Sequence, residues 1–446
     1  MCGIYGIYNI KNKKDILNEL IDGLKNIQHR GKDSYGYSYI NEKYDRTEIN
    51  SVKHMGLVTD QYIDLHPETV ISTCIGHVRY STSGKSSDNK SIDMKEVQPL
   101  IKRGKGNYSD LSIVHNGNVP IFDGHDTTKL LSLIKNGNER EKVSEGLINI
   151  MKTVPGSYCL IVQSGYDLFV MKDRYGIRPL SYGMKNGNIH ISSETCALKG
   201  CTNITEVLPG EILQLNGSSY PKQIYRHSDI QNYICAFELI YFMNPESYYY
   251  NTKVEDFRKY LARKLINKET LKEKDYIVVG VPKSGMVYGL EYANHMNLKY
   301  EQLILKTDDC TNGSDRTFTI IDNDERIKAC KKKFKYNNEG IKGKKIIVLD
   351  DTIVRGNVIK QLIGDLWSCG ASEIHIRIPA PPVIDICQLG IAIHKKEELL
   401  MYNKSMEELK DELNVSSIMF NSLNDLGDKL YKQCFGGGIY KELINK

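Results

Sequence analysis

The sequence predicts an α/β protein of more than one domain. Three observations carry that prediction. The 446 residues exceed one ordinary domain, and a hydrophobic fraction of 40% is enough for more than one core. The second half alternates short apolar runs with helical patterns, the signature of a parallel sheet with crossover helices. The first half opens on short strands joined by polar, glycine-containing turns. Polar, turn-rich sequence around 220–231 separates the halves, which places a boundary between 230 and 231 and gives domains 1–230 and 231–446.

Bulk composition narrows the function. A formal charge of +5 is mild for this length and argues against nucleic-acid binding, which needs a concentrated basic face. Anionic small ligands are sufficient reason for the surplus. The eleven cysteines are scattered without a C-x-x-C pair, as expected of reduced intracellular thiols rather than a disulfide framework. No apolar run approaches bilayer length, and the N-terminus lacks the basic and apolar regions of a signal peptide. The expectation is a cytoplasmic protein with no membrane partner.

In chain order, Met1-Cys2-Gly3-Ile4-Tyr5-Gly6-Ile7-Tyr8 alternates as a strand. With Met1 removed, Cys2 carries a thiol beside a free α-amine. That amine, with a pKa of roughly 8, is close enough to neutrality to act as general base for the thiol. A helical pattern over Asp15–Ile27 leads into the turn Gln28-His29-Arg30-Gly31-Lys32-Asp33. A strand at Val70–Ile75 runs into Gly76-His77-Val78-Arg79-Tyr80-Ser81-Thr82, and another at Leu111–Val114 ends in His115-Asn116-Gly117. Gly156–Val162 and Asp167–Met171 read as paired strands.

Four of these pieces, in this order, resemble the motifs MCGI, QHRGxD, GHxRYxT and HNG of the N-terminal-nucleophile glutaminase domain of class II glutamine amidotransferases. The resemblance implies an αββα sandwich and glutamine as substrate. It implies that Asn116 and Gly117 form the oxyanion hole for an amide attacked by Cys2. Arg79 would fork onto the glutamine carboxylate, a task that suits guanidinium, and Asp126 would take the α-ammonium. The family usually has an acid where Thr128 stands. His29, His77 and His115 read as structural histidines, not a metal set.

In the second half, Tyr276–Val281 predicts a strand, Gly285–Met296 a helix, Lys299–Leu305 a strand and Glu373–Ile378 a further strand. Between them, Ile346-Ile347-Val348-Leu349 is an apolar run, too short for a helix and long enough for a buried parallel strand. Asp350-Asp351 and a small polar turn follow, and a helical pattern opens at Asn357. A helix N-terminus offers unpaired N–H groups to a phosphate. Paired acids suit a diol or a hydrated metal instead. Together they point to a sugar phosphate with vicinal hydroxyls.

This stretch resembles the phosphoribosyl-pyrophosphate (PRPP) motif of type I phosphoribosyltransferases. Cys235-Ala236-Phe237-Glu238-Leu239-Ile240-Tyr241-Phe242, Arg316-Thr317-Phe318 and Ala380-Pro381-Pro382 extend a likeness to the amidophosphoribosyltransferase family over nearly the whole chain. The implied reaction is glutamine + PRPP + water → 5-phosphoribosylamine + glutamate + pyrophosphate, the first committed step of purine synthesis. Asp350 and Asp351 would meet the ribose, and Thr352, Ile353, Val354, Arg355 and Gly356 the 5-phosphate. Lys306 and Arg316 would close over the pyrophosphate, with Mg²⁺ held by Ser284, Asp350 and Asp351. The resemblance further implies a homo-oligomer (tetramer or dimer) and purine nucleotide inhibitors.

The chain departs from the family at three places. Lys283 replaces an acid before Ser284, and the 307–318 loop is longer and more acidic than the family's NRYxGRTFI segment. Some relatives carry a [4Fe–4S] cluster; Cys235, Cys387 and Cys434 fall near matching positions, but Tyr431 occupies the fourth, so no iron–sulfur cluster is expected. The Lys331–Lys335 cluster reads as a solvated helix face. The first two departures motivate an alternative, a non-catalytic relative that binds PRPP or nucleotides as a regulator. A hexosamine-phosphate synthase is excluded, because its acceptor domain lacks the acid-pair motif.

Overall fold

A computed structural model describes residues 2–10, 16–41, 48–59, 70–80, 93–104, 109–135, 140–307, 333–389, 391, 393 and 395–438. In the first half, two antiparallel sheets stack between helices. The seven-stranded sheet has Gly3–Tyr8 near its middle, between Asn188–Ser192 and Ile71–Arg79. The six-stranded sheet has Leu111–Asn118 and Ser157–Ser164 paired side by side. Alternation along the strands builds the layers. Ile4 and Tyr8 face Val114, Ile161 and Leu168 of the other sheet, while Tyr5 and Ile7 pack on Leu17, Leu20 and Leu24 of the helix Ile16–Asn26. On the far side, Ile113, Leu160 and Phe169 pack on Leu130, Leu147 and Ile150 of the helices Asp126–Leu133 and Arg140–Thr153. This is the expected αββα sandwich.

In the second half, five parallel strands run in the order Lys299–Tyr300, Tyr276–Gly280, Lys345–Leu349, Glu373–Ile378, Ser417–Phe420. Chain order reverses between Tyr276–Gly280 and Lys345–Leu349, and at such a switch point the loops beyond the strand ends diverge and leave a crevice. The helices Gly285–Met296 and Asn357–Ser368 start there, at the residues the sequence predicts. Packing at the crossing is tight enough that a Cβ on Gly285 would strike the Leu349 carbonyl.

Several elements differ from expectation. The single strand expected over Lys299–Leu305 splits: Lys299–Tyr300 joins the parallel sheet, and Ile304–Lys306 turns away to pair with Phe334–Tyr336. A tight turn causes the split, with the Leu303 N–H donating to the Glu301 carbonyl at 3.1 Å and Gln302 Nε2 bonding the Gly280 carbonyl at 3.1 Å. The expected lysine helix is also revised. Phe334–Tyr336 is a strand and Lys333 lines the cavity described below, while Lys331 and Lys332 lie outside the described residues. Strands expected to stop at Ile75 and Val114 continue to Arg79 and Asn118, the first because it is paired on both sides and the second because Ser157–Ser164 pairs along its whole length. Lys222–Arg226 and Ser417–Phe420 are strands that the sequence pattern did not separate from loop. Among the described residues, no helix is long and apolar enough to cross a membrane.

Candidate active site

The nucleophile end lies between the two sheets of the first half. Cys2 precedes Gly3–Tyr8, is partly exposed, and its Sγ lies 4.0 Å from the Tyr80 carbonyl. Arg30 Nε donates to the Cys2 carbonyl at 2.8 Å. Asn116 shares the inner face of its strand with Val114. It is 1% exposed, and its side-chain amide has no hydrogen-bond partner among the described residues. A buried, unpaired amide is costly unless a ligand completes it. Gly117 is required by space, since a Cβ there would run into the Ser157 carbonyl.

Arg79 is buried at 4% exposure, and its Nη2 bonds Glu96 at 2.9 Å. Asp126 opens its helix and accepts from the Thr127 N–H at 2.7 Å and the Val119 N–H at 3.3 Å. His115 Nδ1 is 3.7 Å from the same carboxylate. Burial opposes its ionisation, but His115 and the N–H donors outweigh that and hold it at about 2. His77 was placed among the structural histidines by its motif. It lies on the Ile75 face of its strand, fully buried, with neither ring nitrogen partnered among the described residues. Burial, then Arg79 and His115, hold it neutral. No local sequence signal separates it from a satisfied core histidine. His29 Nε2 lies within hydrogen-bond distance of Glu194, at 2.8 Å.

The acid-pair end sits at the switch point. Asp350 and Asp351 are 8% and 4% exposed. Ser284 Oγ bonds Asp351 at 2.5 Å from across the crevice, and Thr352 Oγ1 bonds it at 2.8 Å. Burial first, and the Asp351 charge second, raise the Asp350 pKa well above the ordinary carboxylate value. A cation would relieve both effects. Among the described residues, no three His, Cys, Asp or Glu side chains converge to hold a metal by themselves. Two carboxylates nonetheless suit Mg²⁺, which completes its shell with water and substrate phosphates. Beyond the acids, Thr352–Arg355 curl to Gly356, whose φ of +83° turns the chain into the helix Asn357–Ser368. Arg355 Nε is braced by Glu398 at 2.6 Å.

A cavity of ≈ 390 Å³ opens over the acid-pair end and reaches residues of the first half. From the second half it is lined by Lys283, Ser284, Lys306, Lys333 and the whole run Asp350–Gly356. From the first half it is lined by His29, Lys32 and Tyr80, the residue whose carbonyl neighbours the Cys2 thiol. Of the residues proposed from sequence for the second half, only Arg316 is not placed, because it lies outside the described residues. Lys32, Tyr80 and Lys333 were missed, since only the fold brings them to this cavity.

No family model matches the chain. The amidophosphoribosyltransferase of Pyrococcus horikoshii is 32% identical over 440 residues, covering 94% of this chain and 91% of that protein. The amidophosphoribosyltransferase of Methanothermobacter thermautotrophicus is 30% identical over 448 residues, covering 95% and 90%. A solved structure, glutamine PRPP amidotransferase from B. subtilis complexed with ADP and GMP, superposes with a TM-score of 0.81 at 28% identity, covering 98% of this chain and 97% of that one. The likeness runs through both halves, and the chain belongs to the amidophosphoribosyltransferase family.

Proposed function

We propose that the chain transfers ammonia from glutamine to PRPP, giving 5-phosphoribosylamine, glutamate and pyrophosphate. The carrying observation is a cavity lined by the acid-pair loop from the second half and, from the first, by Tyr80, whose carbonyl neighbours the Cys2 thiol. The Cys2 thiol, deprotonated by its own α-amine, attacks the glutamine amide. Asn116 Nδ2 and the Gly117 N–H receive the oxyanion, Arg79 the α-carboxylate and Asp126 the α-ammonium. Ammonia leaves into the cavity, and water releases glutamate from the thiol. At the far end, Asp350 and Asp351 hold the ribose hydroxyls, and the N–H groups of 352–356 hold the 5-phosphate. Lys283, Lys306 and Lys333 surround the pyrophosphate with positive charge, and a lysine in place of an acid at 283 strengthens that field. Mg²⁺, held by the acid pair and Ser284, would supply Lewis-acid neutralisation of the leaving group.

The test is pyrophosphate release from PRPP and Mg²⁺, driven by glutamine or by ammonium chloride. Turnover with both donors is expected, and inactivity of folded protein with both would sink the proposal in favour of a non-catalytic binder. Gly117→Ala is expected to lower the glutamine-driven kcat by about 10²–10³, because the Cβ forces the backbone donor off the oxyanion position. Asp126→Asn should raise the KM for glutamine. It should also flatten the acid limb of stability. The native carboxyl titrates at about 2 rather than the ordinary 3.8, so its stabilisation is complete above 3.8 and lost as pH falls toward 2. Melting temperatures of the two proteins across that window would decide it.

The domain boundary is placed at 230/231, supported by Lys222–Arg226 closing the first half's sheet and Ile234–Cys235 pairing with Leu430–Tyr431. Purine nucleotides are proposed as inhibitors, in line with the ADP and GMP bound by the B. subtilis protein, and a homo-oligomer, tetramer or dimer, in the cytoplasm as its state. No iron–sulfur cluster is proposed. Tyr431, 1% exposed, stands opposite Cys235 where a fourth thiolate would be needed. Burial pushes the Cys235 thiol up to about 12 and Cys434 well above its ordinary value. Anaerobically purified protein should therefore contain no stoichiometric iron or sulfide.

A further inference from the structure

Glu238 belongs to the second half in sequence but is buried at 0% exposure against residues of the first. Its carboxylate accepts from Arg30 Nη1 at 3.0 Å, from Arg30 Nη2 at 2.8 Å and from Arg178 Nη1 at 3.0 Å. Arg30 Nη1 also bonds Glu194 at 2.5 Å, and Glu194 accepts from Ser247 Oγ and the Asn244 N–H, each at 2.8 Å. Two buried guanidinium groups and two buried carboxylates thus bond one another across the two halves, with His29 Nε2 also 2.8 Å from Glu194. Removing either carboxylate would leave an uncompensated buried cation. The fork of Arg30 is held by this set, and its remaining nitrogen, Nε, donates to the Cys2 carbonyl.

That last bond has unusual leverage. Once Met1 is removed, Cys2 ends the chain and is tethered from one side only, so a terminal residue needs an added restraint to hold a catalytic geometry. The carboxylate orienting the restraint rides on Glu238–Phe242, a short helical turn whose Tyr241 and Phe242 line the cavity. The same turn is fixed from the acid-pair side. Tyr288 Oη, from the helix that begins after Ser284, donates to the Ile240 carbonyl at 2.9 Å, and Arg258 Nε donates to the Leu239 carbonyl at 2.9 Å.

We propose that Glu238 is a positioning residue for glutamine hydrolysis: by orienting Arg30 it holds the Cys2 main chain, and with it the thiol, in register with Asn116 and Gly117. The inference rests on the proposed function, because it concerns the same thiol. It also makes the thiol's alignment depend on a segment of the other half.

The experiment compares glutamine-driven and ammonia-driven turnover in the full chain carrying Glu238→Gln, Glu238→Asp, Arg30→Gln, and the Arg30→Gln/Glu238→Gln pair. For Glu238→Gln, the glutamine-driven kcat is expected to fall by about tenfold or more, with the KM for glutamine and the ammonia-driven kcat within about twofold of wild type. Glu238→Asp should recover part of the loss, and the double variant should be no worse than Arg30→Gln alone, as for residues acting in series. Equal loss with both nitrogen donors would mean a general structural role and overturn the proposal, as would unchanged glutamine-driven turnover, a rise in KM alone, or multiplicative losses in the double variant. Wild-type protein inactive with both donors would instead bring down the functional proposal, and this inference with it.

Discussion

Replacing Cys2 by alanine is expected to lower glutamine-driven pyrophosphate release by about three orders of magnitude or more, while ammonia-driven release stays within about twofold of wild type. The asymmetry follows from geometry. The thiol lies beside the Tyr80 carbonyl and is not among the residues that line the cavity with the acid pair and the phosphate turn. Alanine removes the nucleophile and little volume, and Cys2 is already partly exposed, so the sheet around Gly3–Tyr8 should not notice. Ammonia supplied from solution bypasses the lost step. Matched loss with both donors would show that the two ends are not separable, and would count against a thiol confined to amide hydrolysis.

Converting Asp350 and Asp351 together to asparagine is expected to abolish turnover with both donors. The acids are buried and placed where strand order reverses, and Asp351 accepts from Ser284 and Thr352. Asparagine keeps the shape but loses the charge that a divalent cation needs and half of the acceptor capacity that a diol needs. Folding should survive, because the buried like-charge pair is a cost that the substitution relieves. The double variant should therefore melt no lower than wild type, an outcome that separates loss of chemistry from loss of fold. Retained activity with ammonia would sink the assignment of these acids to the sugar phosphate.

The chemistry was legible because it is local. Cys2 beside its own α-amine, the Asn116-Gly117 pair, and an acid pair between a buried strand and a helix start are each contained within a few residues. Strand periodicity gave the alternating faces of Gly3–Tyr8, and the helices at Gly285 and Asn357 begin where their patterns begin. Legibility failed where a strand is set by the edge or turn beside it rather than by its own pattern. Lys222–Arg226 is polar and becomes a strand only because Glu211–Leu215 offers it a free edge. Lys299–Leu305 has strand composition throughout, and only the turn at Glu301–Leu303 divides it between two sheets.

The reactive groups and the backbone context of each can be read from the sequence, since periodicity, turn chemistry and strand–helix junctions act within a dozen residues. How the two halves come together is set by packing between distant segments. Lys32 and Tyr80 face the same cavity as Asp350, and the carboxylate of Glu238 crosses 208 positions of sequence to orient Arg30 behind Cys2. In sequence, Glu238 is one acid within an apolar run. Its partners are buried arginines supplied by other strands and turns, and burial is a property of the assembled chain, not of the run that carries the residue.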